Sequence, residues 1–160
     1  MRLPIVNEQD EIIGYEARAS GNPSNITRVS ALWIKDKDGN VLLAQRAFVK
    51  KRNPGVWGPA VAGTVEEGET YESNIIKESE EEIGLVNFTP ILGPKKRVSS
   101  GHEYFCQWFT VIVENSYPFK KQDEEVEEVR WFTREEIEKF LSEKPEMFTS
   151  NFKHYFNLFK

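Results

Sequence analysis

Residues 63–85 read GTVEEGETYESNIIKESEEEIGL, a glycine-bearing acidic loop followed by a helix. Thr70 is a favourable N-cap, Glu72 places a negative charge in the first turn, and Gly84 ends the helix. Helical spacing puts one set of residues on a common side that can pack on a core: Tyr71, Ile75, Ile76, Ser79 and Ile83. The stretch therefore predicts a short amphipathic helix held between two loops.

Three glutamates project from one edge of the other side of this helix. Glu78, Glu81 and Glu82 stand at i, i+3 and i+4. Like charges at this spacing repel by about 0.2–0.5 kcal/mol per pair, so helix stability does not explain them. A hard divalent cation that collects their oxygens does explain them. The alternative is a solvated acidic face, but the two glycines, the isolated Glu69 and the phase of the apolar side favour a metal site.

The spacing of these residues resembles the Nudix box, Gly-x5-Glu-x7-Arg-Glu-U-x-Glu-Glu-x-Gly-U, in which U is bulky and apolar. The resemblance covers all 23 residues from Gly63 through Glu69 to Leu85, with two departures. Lys77 replaces the arginine, and Ser79 stands where an apolar residue is expected. The resemblance implies an α/β fold, the Nudix α/β/α sandwich, with a mixed β-sheet and the box as a loop–helix–loop.

The resemblance also implies supporting roles inside the box. In the family, the arginine braces the loop glutamate against the helix, so Lys77 is expected to brace Glu69. A lysine keeps the positive charge of the arginine but cannot form its two parallel hydrogen bonds. A Nudix fold that has lost its chemistry is the alternative left open by these departures.

Magnesium is the expected cofactor, with Mn²⁺ as an alternative ion. Proteins hold Mg²⁺ with a few carboxylates plus substrate phosphates. Glu78 and Glu82, one helical turn apart, are the best ligands, with Glu81 next, and the resemblance adds the backbone carbonyl of Gly63. The expected reaction is hydrolysis of a diphosphate linkage in a nucleoside diphosphate linked to a second group, or in a related small diphosphate.

The catalytic base is predicted among acids inside and outside the box. Glu78 is the first candidate and Glu81 belongs to the same catalytic set, while Glu125 is the candidate from the second acidic patch. An exposed charge at the start of a strand is the alternative for Glu125. Three cations are expected to contact substrate phosphates: Arg46, Lys50 and Lys51.

Several aromatic, cysteine and histidine side chains are of types that often bind ligands or metals, but the sequence does not support such a role for them. Trp33, Phe48 and Trp57 have rings that stack on a base, but burial in the core is the favoured prediction for each. Cys106 lies among aromatic residues and is predicted to be a core thiol. His102 and His154 do not stand at metal-ligand spacing and receive no role.

A closer resemblance involves Nudix proteins related to isopentenyl-diphosphate isomerase. It is carried by NEQDEIIG at residues 7–14 and LLAQRAFVKKRNPGVWGPAVAGTVEEGE at residues 42–69. That isomerase needs a cysteine and a histidine where this chain has Ala62 and Thr64, which argues against isomerase chemistry. A nucleotide-sensing module without turnover is the other alternative, and the intact glutamate set argues against it.

Length and charge exclude several classes of protein. The 160 residues are predicted to form one domain, residues 1–160, with a net charge of −5. This acidity disfavours binding to long nucleic acids, so the expected partner is a small, nucleotide-like phosphorylated substrate. The single cysteine and the lack of an apolar leader or span favour a cytoplasmic protein without membrane contact. A homodimer is compatible with the sequence.

The pattern outside the box predicts mainly strands. Strands or hairpins are expected at residues 1–20, 26–35, 41–46, 56–65, 87–92, 102–114 and 126–132. Residues 36–40 are predicted as a hairpin turn, residues 47–54 as a basic loop, and residues 93–97 as a basic turn. Thr133 is expected to cap a helix that reaches about Leu141, and Pro145 to open a last helix whose apolar side runs from Met147 to Phe159.

Overall fold

The computed structural model describes residues 1–159, with the exception of the Ser20 side chain. The strands are β1 (Arg2–Val6), β2 (Ile12–Ala17), β3 (Ile26–Lys35), β4 (Val41–Arg46), β5 (Trp57–Pro59), β6 (Val61–Thr64), β7 (Ile91–Ser99), β8 (Glu103–Ile112) and β9 (Val126–Phe132). The helices are α1 (Tyr71–Ile83), α2 (Arg134–Glu143) and α3 (Phe152–Leu158), and short 3-10 turns occupy Arg18–Ser20 and Pro145–Met147. Across residues 1–159, no helix combines the length and apolarity that crossing a membrane requires.

Strand β3 lies at the centre of a mixed sheet. It runs parallel to β8 along its whole length and antiparallel to β4 and β6. Strand β4 carries β5 and β9, β1 joins β3 to β2, and β7 pairs with the far side of β8. The mixed sheet predicted from the sequence is confirmed.

The sheet is covered by helices on both faces. Side chains alternate between the faces of a strand, so Leu32 and Ile34 of β3 pack in the same cluster as Ile75 of α1. Trp33, which is fully buried, points to the opposite face and contacts Phe152 of α3. The layered arrangement of helix, sheet and helix is therefore confirmed.

Helix α1 begins and ends where its sequence predicts. Thr70 accepts a hydrogen bond from the Ser73 N–H at 3.0 Å, and Gly84 adopts a left-handed conformation with φ 68°. The prediction for Ile76 is wrong, because its side chain is 41% exposed. Tyr71, Ile75, Ser79 and Ile83, spaced four residues apart, lie on the side of the helix that faces the sheet. Ile76 points away from this side, and Asn74 is buried in its place.

The predicted basic turn at residues 93–97 is also wrong. These residues lie inside β7, which pairs with β8 from Ile91 to Ser99. The register shifts between Leu92 and Lys95, and this irregularity accommodates Pro94, whose nitrogen has no hydrogen to donate. The strand expected at residues 87–92 accordingly begins only at Ile91.

The last helix begins later than predicted. Pro145 opens a single 3-10 turn, and α3 starts at Phe152. Met147 and Phe148 therefore precede the helix, although Phe148, Phe152 and Phe156 are buried in one aromatic cluster. The predicted apolar side is confirmed for Phe148, Phe152 and Phe156, but the extended backbone at Phe148 interrupts the helix.

Asp10 ties the β1–β2 hairpin to the rest of the fold. Its carboxylate accepts hydrogen bonds from Arg28 Nε at 2.8 Å, Lys95 Nζ at 2.8 Å and the Tyr71 hydroxyl at 2.9 Å. Burial raises the pKa of Asp10, but these three hydrogen bonds outweigh it and hold the pKa below its ordinary value. One carboxylate thus joins the hairpin to β3, β7 and α1.

We expect Asp10→Asn to lower the free energy of unfolding by about 2 kcal/mol at pH 7, since it leaves two cations without their partner. Asparagine tolerates the positive φ of 61° at this position, so the change isolates the charge. Because the folded-state pKa lies below the ordinary value of 3.8, this stabilisation is complete above pH 3.8 and is lost as the pH falls through the folded-state pKa. Urea unfolding at pH 7 and pH 3 measures the difference.

The exposed Asp38, in the β3–β4 turn, provides a matched control. Asp38→Asn is expected to change the free energy of unfolding by less than about 0.5 kcal/mol at either pH. Equal effects of the two substitutions at pH 7 would contradict the role given to Asp10.

Candidate active site

Gly63 allows helix α1 to approach strand β6 closely. A Cβ atom built on Gly63 would lie 2.5 Å from Cγ and 2.7 Å from Cδ of Glu78. No side chain fits in this space, so the glycine is needed for the contact. The Glu78 side chain consequently lies directly against the backbone of β6 at Gly63, a residue that the sequence places in a loop and the structure places in the strand.

Glu82 is a half-buried residue whose carboxylate lacks a full set of partners. Within residues 1–159, its Oε2 atom is buried and accepts no hydrogen bond. Burial raises the pKa of Glu82 well above its ordinary value, and the charges of Glu78 and Glu125 raise it further. A hydrogen bond from the Ala62 N–H and the charge of Lys50 act in the opposite direction. An uncompensated charge of this kind costs free energy unless a cation joins it.

The three predicted ligands differ in their surroundings. Burial raises the pKa of Glu78, and the charge of Glu81 adds to this, while Lys77 opposes it. Glu81 itself is exposed. No three acidic, histidine or cysteine side chains of residues 1–159 already converge into a metal site. The donor set nevertheless fits a hard cation, because it offers carboxylate oxygens of which one is buried and unpartnered.

Lys77 and Glu69 are in contact. Lys77 Nζ lies 2.6 Å from Glu69 Oε2, and 3.6 Å and 3.7 Å from the carboxylates of Glu66 and Glu78. Burial raises the pKa of Glu69, but the Lys77 ammonium and two further hydrogen bonds bring it below its ordinary value. A single short ion pair therefore connects the loop to the helix where an arginine would form two bonds.

Asn74 is a site residue that the sequence analysis missed. Its Nδ2 donates to Glu69 Oε1 and to the Thr64 carbonyl, both at 3.1 Å, and its Oδ1 accepts from the Ser30 hydroxyl. This fully buried amide thus links α1 to the loop and to β3. The sequence feature that could have indicated this role is the position of Asn74 next to the apolar side of the helix. A polar side chain buried at such a position needs hydrogen-bond partners.

Glu125 reaches the site from outside the box. Lys50 Nζ lies 2.6 Å from Glu125 Oε2, and the Ala47 N–H donates to the Glu125 carbonyl at 3.1 Å. The Gln122 N–H donates to the Glu82 carbonyl at 2.8 Å, so the loop before β9 is attached to the end of α1. The fold thereby brings Glu125 close enough to Glu82 for their charges to interact.

The three predicted substrate-binding cations lie along one cleft of about 700 Å³ beside the box. Arg46 and Lys51 line it together with Lys50 and Thr64. Arg46 Nε donates to the Arg52 carbonyl at 3.0 Å, which holds the basic loop in shape. The cleft therefore meets the box at Thr64.

The aromatic predictions are confirmed for two of three residues. Trp33 and Trp57 are buried, whereas Phe48 is 63% exposed and its prediction is wrong. The Phe48 ring occupies the space beside Gly55, where a Cβ atom would meet it at 2.6 Å, because the basic loop turns outward there. Cys106 is buried as predicted, and burial raises its pKa to about 12.

Ser79 is the box departure with a measurable consequence for stability. Its hydroxyl is buried and has no hydrogen-bond partner within residues 1–159. We expect Ser79→Ala to raise the free energy of unfolding by about 1 kcal/mol, since it removes an unsatisfied buried group. Ser73→Ala, in the capping box of the same helix, is expected to lower it by about 0.5–1 kcal/mol. Denaturant unfolding of both variants distinguishes these opposite signs, and a loss of stability in Ser79→Ala would contradict the assignment.

Comparison with known proteins identifies the family of this chain. A family model of the NUDIX domain matches residues 25–152. The chain belongs to the Nudix family. This Nudix chain is 30% identical over 142 residues to an uncharacterised Nudix hydrolase of Yersinia pestis, covering 84% of this chain and 74% of that protein. The predicted family and its hydrolase class are confirmed.

Two further proteins resemble this Nudix chain, one in sequence and one in fold. An isopentenyl-diphosphate Δ-isomerase of Salmonella heidelberg is 32% identical over an alignment of 93 residues that covers 54% of this chain and 50% of the isomerase. The match thus spans about half of that enzyme. The crystal structure of DR0079 from Deinococcus radiodurans superposes with a TM-score of 0.70 and 20% identity, covering 90% of each chain. This likeness confirms the predicted Nudix fold.

Proposed function

We propose that this Nudix chain hydrolyses a diphosphate linkage in a small phosphorylated substrate, with Mg²⁺ as cofactor and Mn²⁺ as an alternative. A nucleoside diphosphate linked to a second group is the first substrate class. The observation that carries the proposal is the buried Oε2 atom of Glu82, which accepts no hydrogen bond within residues 1–159 and lies near Glu78. Such an arrangement is costly in the metal-free protein and is relieved by a divalent cation.

The residues that would hold the ion are Glu78 and Glu82, with Glu81 and the Gly63 carbonyl completing the set. When bound, the ion neutralises phosphate oxygens and lowers the pKa of an attacking water. The protein contributes a fixed frame for these ligands. The Lys77–Glu69 ion pair and the hydrogen bonds of Asn74 hold α1 against the loop. The ligand side chains therefore lose little conformational freedom when the ion and substrate bind.

Proton transfer in the reaction requires a carboxylate near the attacking water. The water oxygen bonds to phosphorus, its proton passes to the carboxylate, and the bond to the leaving phosphate oxygen breaks. Glu78 is the first candidate base within the box, and Glu125 is the candidate outside it, with the exposed Glu81 third. Lys50, which lines the cleft, holds the Glu125 carboxylate through the 2.6 Å ion pair.

Isomerase activity is the second candidate function, because of the 32% identity to the isomerase over 93 residues. Ala62 and Thr64 lack the groups that this chemistry needs at their positions. Cys106 does not replace them, since it is buried in the cluster around Trp33 on the face of the sheet opposite α1. Hydrolysis is therefore better supported.

A substrate panel tests the proposal. Nucleoside diphosphate derivatives and isopentenyl diphosphate are incubated with the protein in Mg²⁺ or in chelator, and released phosphate products and dimethylallyl product are measured. Metal-dependent release of phosphate products supports the hydrolase, and dimethylallyl product supports the isomerase. Binding without turnover across the panel would identify a sensing module and overturn the proposal.

The charge and the cysteine content of the chain support proposals for its binding partner and its cellular compartment. The acidic surface disfavours long nucleic acids, so the partner is a small molecule. A single buried cysteine suits the reducing cytoplasm, where we place the protein. The one-domain organisation and a homodimeric assembly stay predictions.

A further inference from the structure

The cleft beside the box carries a strong excess of positive charge. Five basic side chains line it: Arg18, Arg46, Lys50, Lys51 and Arg52. Two acids face them, Glu16 and Glu103. The lining therefore favours an anion, although the chain as a whole has a net charge of −5.

The acids of the cleft are already engaged by other groups. Glu103 accepts hydrogen bonds from Arg97 at 2.9 Å and Ser99 at 2.6 Å. Glu16 accepts from Asn25 Nδ2 at 2.8 Å. Because Arg97 compensates the charge of Glu103 from outside the cleft lining, the acids neutralise few of the cleft cations.

Three of the cations have no acidic partner. Lys50 pairs with Glu125 at 2.6 Å, and Arg18 lies 3.9 Å from Glu66. Across residues 1–159, Arg46, Lys51 and Arg52 form no ion pair. Unpaired cations that share one concave surface repel one another, and an anion bound among them relieves the repulsion.

The basic loop presents these cations on an ordered backbone. The Lys50 N–H donates to the Ala47 carbonyl at 3.1 Å, and the Gly55 N–H donates to the Arg46 carbonyl at 3.0 Å. Gln45 Nε2 donates to the Gly55 carbonyl at 3.0 Å from the adjoining strand. The loop is therefore already ordered before a ligand binds, so binding costs less conformational entropy.

Among the described residues, the cleft offers charge and no large aromatic platform, since the imidazole of His102 is the one aromatic ring in its lining. None of the described residues that line it is a phenylalanine, tyrosine or tryptophan. Phe48, the exposed ring of the basic loop, lies against Gly55 and not in the lining. Recognition here consequently depends on charge-assisted hydrogen bonds, which suit a phosphate group, and not on stacking of a base.

We infer that the cleft binds a further phosphate group of the substrate, beyond the diphosphate at the box. The substrate class is then a diphosphate in which one of the two linked groups carries at least one additional phosphate. This inference rests on the proposed function, because the cleft adjoins the box at Thr64. Lys51 and Arg52 are its specificity-determining side chains.

Binding of a simple polyanion tests the cleft without turnover. Protein stripped of metal on a chelating resin is titrated with inorganic tripolyphosphate in a calorimeter. The double variant Lys51→Gln/Arg52→Gln is expected to raise Kd at least about tenfold. The control Lys37→Gln/Lys153→Gln removes the same charge from exposed positions outside the cleft lining and is expected to stay within about twofold of wild type. Equal Kd values for the two double variants, or no binding by wild type, would overturn the inference.

Matched substrates test the specificity in turnover. Coenzyme A and its dephospho form, and NADPH and NADH, differ by one phosphate away from the diphosphate. Wild type is expected to favour the member with the extra phosphate by about tenfold in kcat/KM, and Lys51→Gln/Arg52→Gln to lose this preference. Hydrolysis without preference would overturn the inference while leaving the proposed function intact. Tripolyphosphate binding with no hydrolysis of any substrate would overturn the proposed function instead.

Discussion

Replacing Glu82 by glutamine is expected to lower the rate of hydrolysis about a thousandfold while making the metal-free protein more stable. Loss of a proposed metal ligand is expected to remove transition-state stabilisation of about 4 kcal/mol, which corresponds to this factor. The neutral amide also removes a buried negative charge that lies near Glu78 and Glu125. The free energy of unfolding is therefore expected to rise by about 1 kcal/mol, or about 2–4 °C in Tm for a chain of this length.

The stability gain has a defined pH dependence. Burial raises the folded-state pKa of Glu82 above the ordinary value of 4.5, so the folded protein binds this proton more tightly than the unfolded chain does. The stability of the wild-type protein then falls as the pH rises from 4.5 to the folded-state pKa. The advantage of Glu82→Gln is absent below pH 4.5 and grows through that window.

Glu80→Gln is the matched control for this experiment. Glu80 lies on the same helix, is exposed, and stands at a box position without a required residue type. It is expected to change the rate less than about twofold and the Tm by less than about 1 °C. Thermal unfolding with and without Mg²⁺, together with product release, measures both effects. Full activity in Glu82→Gln, or equal behaviour of the two variants, would contradict the metal site.

Gly63→Ala is expected to lower kcat/KM about a hundredfold with a loss of stability of only about 1–2 kcal/mol. The new methyl group would lie 2.5 Å from Glu78 Cγ and 3.2 Å from Asn74 Oδ1. Glu78 has a flexible side chain, so it moves away from β6 and the fold survives. A displacement of about 1 Å at a catalytic group is enough for a loss of this size.

Mg²⁺ titration of thermal stability, followed by steady-state kinetics, measures the effect of Gly63→Ala. The metal concentration needed for half of the stabilisation is expected to rise in this variant. Gly14→Ala is the control, because a Cβ atom at Gly14 meets no atom within 4 Å. Wild-type kinetics in Gly63→Ala would show that Glu78 does not need its contact with β6.

Local rules were sufficient for the box helix. Thr70 and Gly84 mark its ends because capping depends on a few neighbouring residues. The strands β3, β4 and β9 coincide with their predicted ranges for a similar reason, since β-branched and aromatic runs between breakers favour extended backbone.

The errors arose where distant parts of the chain decide the local structure. Residues 93–97 contain Gly93 and Pro94 and were predicted as a turn, yet pairing with β8 holds them in a strand. Ile76 is apolar and exposed, while Asn74 is polar and buried, because Thr64, Glu69 and Ser30 supply its partners. No periodicity within the helix reveals those partners.

The sequence by itself determined the family, the box and its helix, because a spacing along one helix is a local property that 23 residues contain in full. Only the tertiary structure decided how the box glutamates differ: Glu82 has a buried oxygen without a hydrogen-bond partner in residues 1–159, and Glu81 is exposed. It also brought Lys50 and Glu125 together across 75 positions and assembled the basic cleft beside them. Burial and charge pairing depend on which segments of the chain are close in space. Strand pairing determines those contacts, and local spacing in the sequence does not.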